Sequence, residues 1–166
     1  MNVIFLDVDG VLNSFPYFES MKGLSTKSDY NEISDFHLQM LSKLYHDCDA
    51  KIVLASTWRD LDDPTDKSCY TMYKYLLDSL AKYGMTVFDK TPLIGGARPL
   101  EIVTWLQQCN ENVNFVVLDD DYSSEEYDKY EIADHLVQTK FFCDTIDEGG
   151  LQQEHVDLAK QILGVI

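Results

Sequence analysis

Basic residues are scarce in this chain. Thirteen Lys and Arg stand against 29 Asp and Glu, a formal net charge of -16 over 166 residues. At long range such a field repels polyanions and anionic membrane surfaces, so the chain is not expected to grip nucleic acid along its length. A small anion held by a metal ion and one or two local cations is still compatible with it. Long apolar runs are missing as well, since none approaches the ~20 residues that a bilayer-crossing helix requires. Cysteine is sparse: Cys48, Cys69, Cys109 and Cys143 lie far apart. With no CxxC pair and no histidine ladder, neither a zinc site nor a disulfide framework is expected, and the thiols read as reduced. The first residues, Met-Asn-Val-Ile-Phe-Leu-Asp, carry no basic stretch ahead of an apolar core. A secretory signal is therefore not expected, and the cytoplasm is the predicted compartment. No internal repeat, low-complexity tract or linker divides the sequence, so one domain over residues 1–166 is expected.

What is present is an alternation of short apolar runs with helical patterns. Strands are predicted at "NVIFLDV" (2–8), "AKIVLAS" (50–56), "MTVFDK" (85–90), "NFVVLDD" (114–120) and, more weakly, "LVQTKFF" (136–142). The runs are continuous rather than alternating, which suits strands covered on both faces. Between them, Phe36, Leu38, Leu41 and Leu44 recur at helical spacing behind a Ser34 cap. A second helix ends at Gly84. A third has Pro99 at its first position and Ile102, Trp105 and Leu106 as its buried stripe, and a fourth follows Gly149-Gly150. Strand alternating with helix predicts an α/β, three-layer, mostly parallel sheet with helices on both faces. Residues 14–34 form a polar-aromatic insertion, and residues 121–135 an acidic, tyrosine-rich loop with a short helix.

In open parallel sheets ligands bind beyond the carboxyl ends of the strands. The first strand ends in Asp7-Val8-Asp9-Gly10, the second in Ser56-Thr57-Trp58-Arg59 and the fourth in Asp119-Asp120-Asp121, with Arg98 at the entry to a helix. Several carboxylates converging there cannot all stay ionised without a cation, because like charges raise one another's pKa. A hard divalent ion with oxygen ligands, Mg²⁺, resolves the conflict. It would also let an aspartate attack phosphorus by neutralising charge between two anions. The nucleophile needs no base, since a carboxylate with a pKa of about 3.9 is ionised at neutral pH. A second aspartate two positions on can protonate the leaving oxygen and then take a proton from water. Ser56 and Arg98 would hold the phosphoryl oxygens.

These residues resemble a family. "FLDVDGVLN" is similar to the first motif of the haloacid dehalogenase-like (HAD) phosphohydrolases, and "IVLAST" to their second. Arg98 stands where they have a Lys or Arg, and "FVVLDDD" resembles their acidic fourth motif. The combined order is similar to the small HAD domains associated with RNA-repair proteins. The resemblance implies a Rossmann-like HAD fold with a minimal cap, and makes Asp7 the nucleophile and Asp9 the general acid/base. It implies a Mg²⁺ site from Asp7, the Asp9 backbone carbonyl, Asp119 and Asp120, and a phosphoryl clamp from Ser56 and Arg98. An acid at position 9 separates phosphohydrolases from the dehalogenases. Asp119 and Asp120 are preferred over Asp121 because the apolar run ends at Leu118.

Plainer readings compete at several positions. Thr57 can replace Ser56 as the clamp. Arg98 can serve only as a helix cap or surface ion pair. Arg59 is either a structural salt bridge or a substrate contact, and Trp58 either packs under its loop or stacks on a base or sugar. The four histidines read as ordinary surface or partly buried residues. The expected activity is Mg²⁺-dependent hydrolysis of a phosphate monoester through an aspartyl-phosphate, at an open site covered at most by a flap at 14–34. The charge favours a small phosphometabolite or nucleotide. A nucleic-acid end-processing phosphatase and a catalytically silent HAD-fold binding protein are the alternatives. No membrane association and no obligate protein partner are expected.

Overall fold

A computed structural model describes residues 1–24, 30–95 and 97–165. Five parallel strands form one sheet in the order β3-β2-β1-β4-β5. They are β1 (Asn2–Leu6), β2 (Ala50–Leu54), β3 (Val87–Lys90), β4 (Asn114–Asp119) and β5 (Leu136–Gln138). The helices are α1 (Phe15–Met21), α2 (Asp35–Asp47), α3 (Lys67–Ala81), α4 (Arg98–Gln108), α5 (Ser124–Asp128) and α6 (Gln153–Ile162), with 3-10 turns at Thr57–Leu61 and Ala133–His135. This is the α/β, Rossmann-like architecture that the continuous apolar runs predict. All five predicted strands form, each shorter than its apolar run: β1, β2, β4 and β5 stop before the run ends, whereas β3 starts two residues late and keeps its end at Lys90.

Period-two alternation splits each central strand between two cores. On one side Ile4 and Leu6 of β1, Ile52 and Leu54 of β2, and Val116 and Leu118 of β4 pack with Leu41 and Leu44 of α2, Leu76 of α3 and Val156 of α6. On the other, Val3, Phe5, Val53 and Val117 pack with Ile102 and Trp105 of α4. Phe5 meets Trp105 and Phe115 edge to face, at centroid distances of 5.3 and 5.7 Å. Both faces are therefore dry, which is what an all-parallel sheet requires. Each fully buried Leu, Ile or Phe contributes on the order of 1.5–3 kcal/mol of transfer free energy.

Local signals behave as physics dictates, with three corrections. Gly84 takes a left-handed φ of +70° just past α3, and the Met85 and Gly84 N–H groups donate to the carbonyls of Leu80 (3.1 Å) and Ala81 (3.0 Å). This is the closure that a glycine after a helix supports. Ser34 occupies the N-cap of α2 but makes no side-chain cap bond. The buried stripe of α2 holds Leu38, Leu41 and Leu44 as expected but not Phe36. Phe36 is 47% exposed, while His37 is 1% exposed and points inward with Leu38, Leu41 and Leu44. Residues 37, 41 and 44 form one helical face, whereas 36 lies on its flank. Pro99 falls at the second rather than the first position of α4. Among the described residues, no helix is long and apolar enough to cross a membrane.

The strand order reverses direction between β1 and β4, where open parallel sheets form a crevice at the carboxyl edge. Register brings the critical residues side by side. Leu6 pairs with Leu54 and with Leu118, and the Asp7 N–H donates to the Leu118 carbonyl at 3.1 Å. Asp7 and Asp119 thus leave adjacent strands at the same level.

Buried His37 makes the fold sensitive to mild acid. Its Nε2–H donates to the Gly149 carbonyl at 3.0 Å. Burial, with His155 adding to it, holds its pKa below the ordinary 6.5. Below pH 6.5 the unfolded chain binds a proton at this position more readily than the folded one does. Its contribution is therefore complete above pH 6.5 and lost as the pH falls beneath it. Urea denaturation across pH 7.5–5.5 should show wild type losing stability more steeply than His37→Gln, by no more than about 1.4 kcal/mol per pH unit. Parallel profiles would contradict this role.

Candidate active site

The turn after β1 is built around its own acids. Asp7 is buried, with Oδ1 accepting from the Val8 N–H at 2.8 Å. Asn13 is fully buried and closes the turn: its Oδ1 accepts from the Gly10 N–H, and its Nδ2 donates to Asp9 Oδ1, each at 2.9 Å. The second oxygen of Asp9 accepts from the Trp58 indole N–H at 2.9 Å. Both oxygens of the more exposed Asp9 are therefore oriented by donors from two different loops.

Arg98, the first residue of α4, reaches across to the strand ends. Its Nη1 donates to Asp7 Oδ2 at 2.5 Å and to Asp119 Oδ1. Burial works to lower the guanidinium pKa, but Asp7 and Asp119 outweigh it and keep the group firmly charged. Tyr122 places its ring 5.2 Å from the guanidinium carbon. Tyr127 of α5 is fully buried and donates its hydroxyl to Asp119 Oδ2 at 2.5 Å. Burial, then the Asp119 charge, push that hydroxyl far above the usual tyrosine range, so it remains an O–H donor.

One cation against this many acids leaves surplus negative charge. Burial raises the Asp7 pKa to about 6 against the opposing pull of Arg98, with Asp119 raising it further and the Ser56 hydroxyl bond lowering it. Burial, with Asp7, Asp119 and Asp121, raises that of Asp120 to about 7. Asp7, Asp119 and Asp120 each offer an oxygen, all within 4.8 Å of one another. An all-oxygen donor set of this charge fits a hard divalent cation such as Mg²⁺. The backbone makes room for the third of these acids. Gly10 has a φ of +73°, and a Cβ there would stand 2.0 Å from the Asp120 carboxyl carbon. Only glycine lets this loop lie against that carboxylate.

The acids open into a cleft of about 790 Å³, lined here by Asp7, Asp9, Thr57, Arg98, Asp120 and Asp121. Of the two candidate clamp hydroxyls, Thr57 lines this cleft, while Ser56 is buried against Asp7 and accepts from the Trp58 N–H at 3.4 Å. Trp58 and Arg59, considered as substrate contacts, do not line it. Trp58 is buried and spends its indole N–H on Asp9. Arg59 forms a buried ion pair with Glu101 of α4 at 2.6 Å and donates to the Ser56 carbonyl at 3.2 Å. That pair ties the loop after β2 to α4, and so ties Ser56 to Arg98. The histidines stay out of the cleft: His37 is in the core, and His135 stacks on Phe115 at 3.9 Å.

Sequence reasoning did not identify Asn13, Tyr127 or Thr139. Asn13 follows Asp9 by four residues, close enough to hint at a turn. Tyr127 is one of several tyrosines in an acidic segment, with nothing local to mark it. Thr139 donates its hydroxyl to the Gly10 carbonyl at 2.7 Å, a contact between residues 129 positions apart.

A family model described as the HAD domain in Swiss Army Knife RNA repair proteins matches residues 3–156. No curated protein and no solved structure matches the chain.

The Tyr127 hydroxyl is a donor to a buried charged acceptor, a class of hydrogen bond with a net contribution of about 1.5–3 kcal/mol. Tyr127→Phe should lower the unfolding free energy by about that much in urea titrations. An unchanged midpoint would show that Asp119 does not depend on it.

Proposed function

The chain belongs to the family of HAD domains in Swiss Army Knife RNA repair proteins, and on that premise we propose that it is a Mg²⁺-dependent phosphohydrolase acting on phosphate monoesters. The observation that carries the reading is the convergence of Asp7, Asp119 and Asp120 to within 4.8 Å beside an open cleft. An acidic cluster with one bridging arginine is costly to maintain unless a cation and an anionic ligand use it.

Asp7 is the nucleophile. One of its carboxylate oxygens attacks phosphorus while the bond from phosphorus to the ester oxygen breaks, leaving an aspartyl-phosphate and an alkoxide that must be protonated. Asp9 gives that proton. The carboxylate it becomes then removes a proton from water as the water attacks the aspartyl-phosphate, releasing inorganic phosphate and restoring both acids. Trp58 and Asn13 hold Asp9 in one orientation through both stages. Arg98 keeps Asp7 and Asp119 together, and with Thr57 it lines the cleft in which phosphoryl oxygens would lie. Ser56 supports Asp7 from below. Mg²⁺, held by Asp7, Asp119 and Asp120 with the Asp9 carbonyl, would neutralise the phosphate charge that otherwise repels an anionic nucleophile.

A second reading concerns the substrate. The family's occurrence in RNA repair proteins favours a phosphorylated nucleic-acid end, whereas the net charge of -16 favours a small ester.

Phosphate release from a generic monoester should require Mg²⁺ and stop on chelation. Asp7→Asn should abolish it, and Asp9→Asn should lower kcat by about 10²–10⁴-fold. Unchanged turnover in Asp7→Asn would remove the nucleophile and the mechanism with it.

A further inference from the structure

The rim of the same cleft is aromatic. Phe18 of α1 and Phe141 and Phe142, which follow β5, line it together with Lys140. The rings form a continuous path. Phe15 lies 5.8 Å from Phe142, Phe142 lies 4.8 Å from Phe141, and Phe141 lies 6.1 Å from Phe18. Phe142 is 78% exposed and Phe15 is 44% exposed. Large uncovered rings beside a catalytic cleft are unfavourable in water and are a mark of a binding surface.

The aromatic surface is also anchored to the catalytic turn. Thr139 bonds the carbonyl of Gly10, next to Asp9, at 2.7 Å. Lys140, Phe141 and Phe142 follow directly, so the Phe142 Cα lies no more than about 11 Å from the Thr139 Cα even along a fully extended chain. The Phe15 N–H donates to the Phe141 carbonyl at 2.9 Å, and the Gly150 N–H to the Lys140 carbonyl at 3.0 Å. Three parts of the chain thus fix the rings at a set reach from the acids.

Charge narrows the occupant. The cations lining the cleft, among the described residues, are Arg98 and Lys140, and Arg98 already serves two carboxylates. A long polyanion has almost nothing to pair with here. A flat, uncharged group attached to a single phosphate does. A phosphotyrosine ring is bonded directly to its phosphate and would stay down among the acids. A nucleobase, set off from its phosphate by a sugar, can reach the rim.

We propose that Phe18, Phe141 and Phe142 form a stacking platform for an unpaired nucleobase whose phosphomonoester lies at Asp7. They would then be the specificity determinants of the site. The inference rests on the phosphohydrolase reading. It deepens that reading by selecting base-bearing phosphates, whether free nucleotides or frayed single-stranded ends, over base-free sugar or glycerol phosphates. Base–aromatic stacking contributes enough per base to shift affinity by roughly 5- to 150-fold on ring removal.

The full chain with Mg²⁺ is tested on an adenosine monophosphate, a terminally phosphorylated single-stranded oligonucleotide, the same end in a blunt duplex, and glycerol phosphate. The platform predicts a preference for the first two over both others. Phe142→Ala should raise KM for the base-bearing substrates roughly tenfold more than for glycerol phosphate, with Phe142→Trp restoring it. If only the mononucleotide or only the oligonucleotide is preferred, the platform stands and the source is identified. Equal treatment of glycerol phosphate, or equal effects of Phe142→Ala on all substrates, overturns it. A calorimetric titration of adenosine monophosphate into Asp7→Asn, with and without Phe142→Ala, separates the two readings. Binding that weakens with Phe142→Ala supports the platform even where no phosphate is released by wild type. Binding that ignores the substitution, or no binding, overturns the platform even where turnover is normal.

Discussion

Three carboxylates held within a few ångströms of one another, two of them buried and the third half-buried at the floor of a cleft, are the constraint to which the rest of the molecule answers. Asp7, Asp119 and Asp120 repel, and burial strengthens that repulsion by lowering the local dielectric. The protein offsets part of it with one buried guanidinium on Asp7 and Asp119, one tyrosine hydroxyl on Asp119 and backbone N–H groups on both. The Asp120 carboxyl receives less help, and its pKa rises to about 7. The fold thus leaves surplus negative charge at a triad of carboxylates that could hold a divalent cation.

Backbone geometry makes this arrangement affordable. A parallel sheet carries its strand ends to one edge, so Asp7 and Asp119 are brought together by main-chain pairing that would form without them. Helix α4 then delivers Arg98 from its first turn, and its Glu101 holds the loop after β2 through Arg59. The acidic cluster is therefore supported by elements whose stability comes from two dry cores on opposite faces of the sheet. The same principle extends outward. Thr139, just beyond β5, is bonded to the turn after β1, which sets the aromatic rim at a fixed reach from the acids.

Much of this was legible in the sequence because strand ends are local signals. Apolar runs that stop at Asp7, Ser56 and Asp119 announce both the strands and the side chains that leave them, and Pro99 and Gly84 mark helix boundaries by backbone chemistry alone. Residues whose roles come from tertiary contact were not legible. Trp58 orients Asp9 across 49 positions, Arg59 pairs with Glu101 across 42, and nothing near Tyr127 in sequence distinguishes it from its neighbours. His37 faces the core in place of Phe36 while Leu38, Leu41 and Leu44 are buried as expected; hydrophobicity favours Phe36, and the Gly149 carbonyl that receives the His37 ring lies 112 positions away. The proposed flap at 14–34 includes residues 25–29, which lie outside the described residues; the remainder contains α1, whose Phe18 lines the cleft.

The most direct test of the account is a count of bound divalent ions by electron paramagnetic resonance of Mn²⁺ titrated into the purified chain. One tight Mn²⁺ per chain, displaced by Mg²⁺ and lost or strongly weakened in Asp119→Asn and Asp120→Asn, is the predicted result. A wild-type chain that binds no Mn²⁺, or an ion retained equally well in both variants, would show that these carboxylates meet for some other reason.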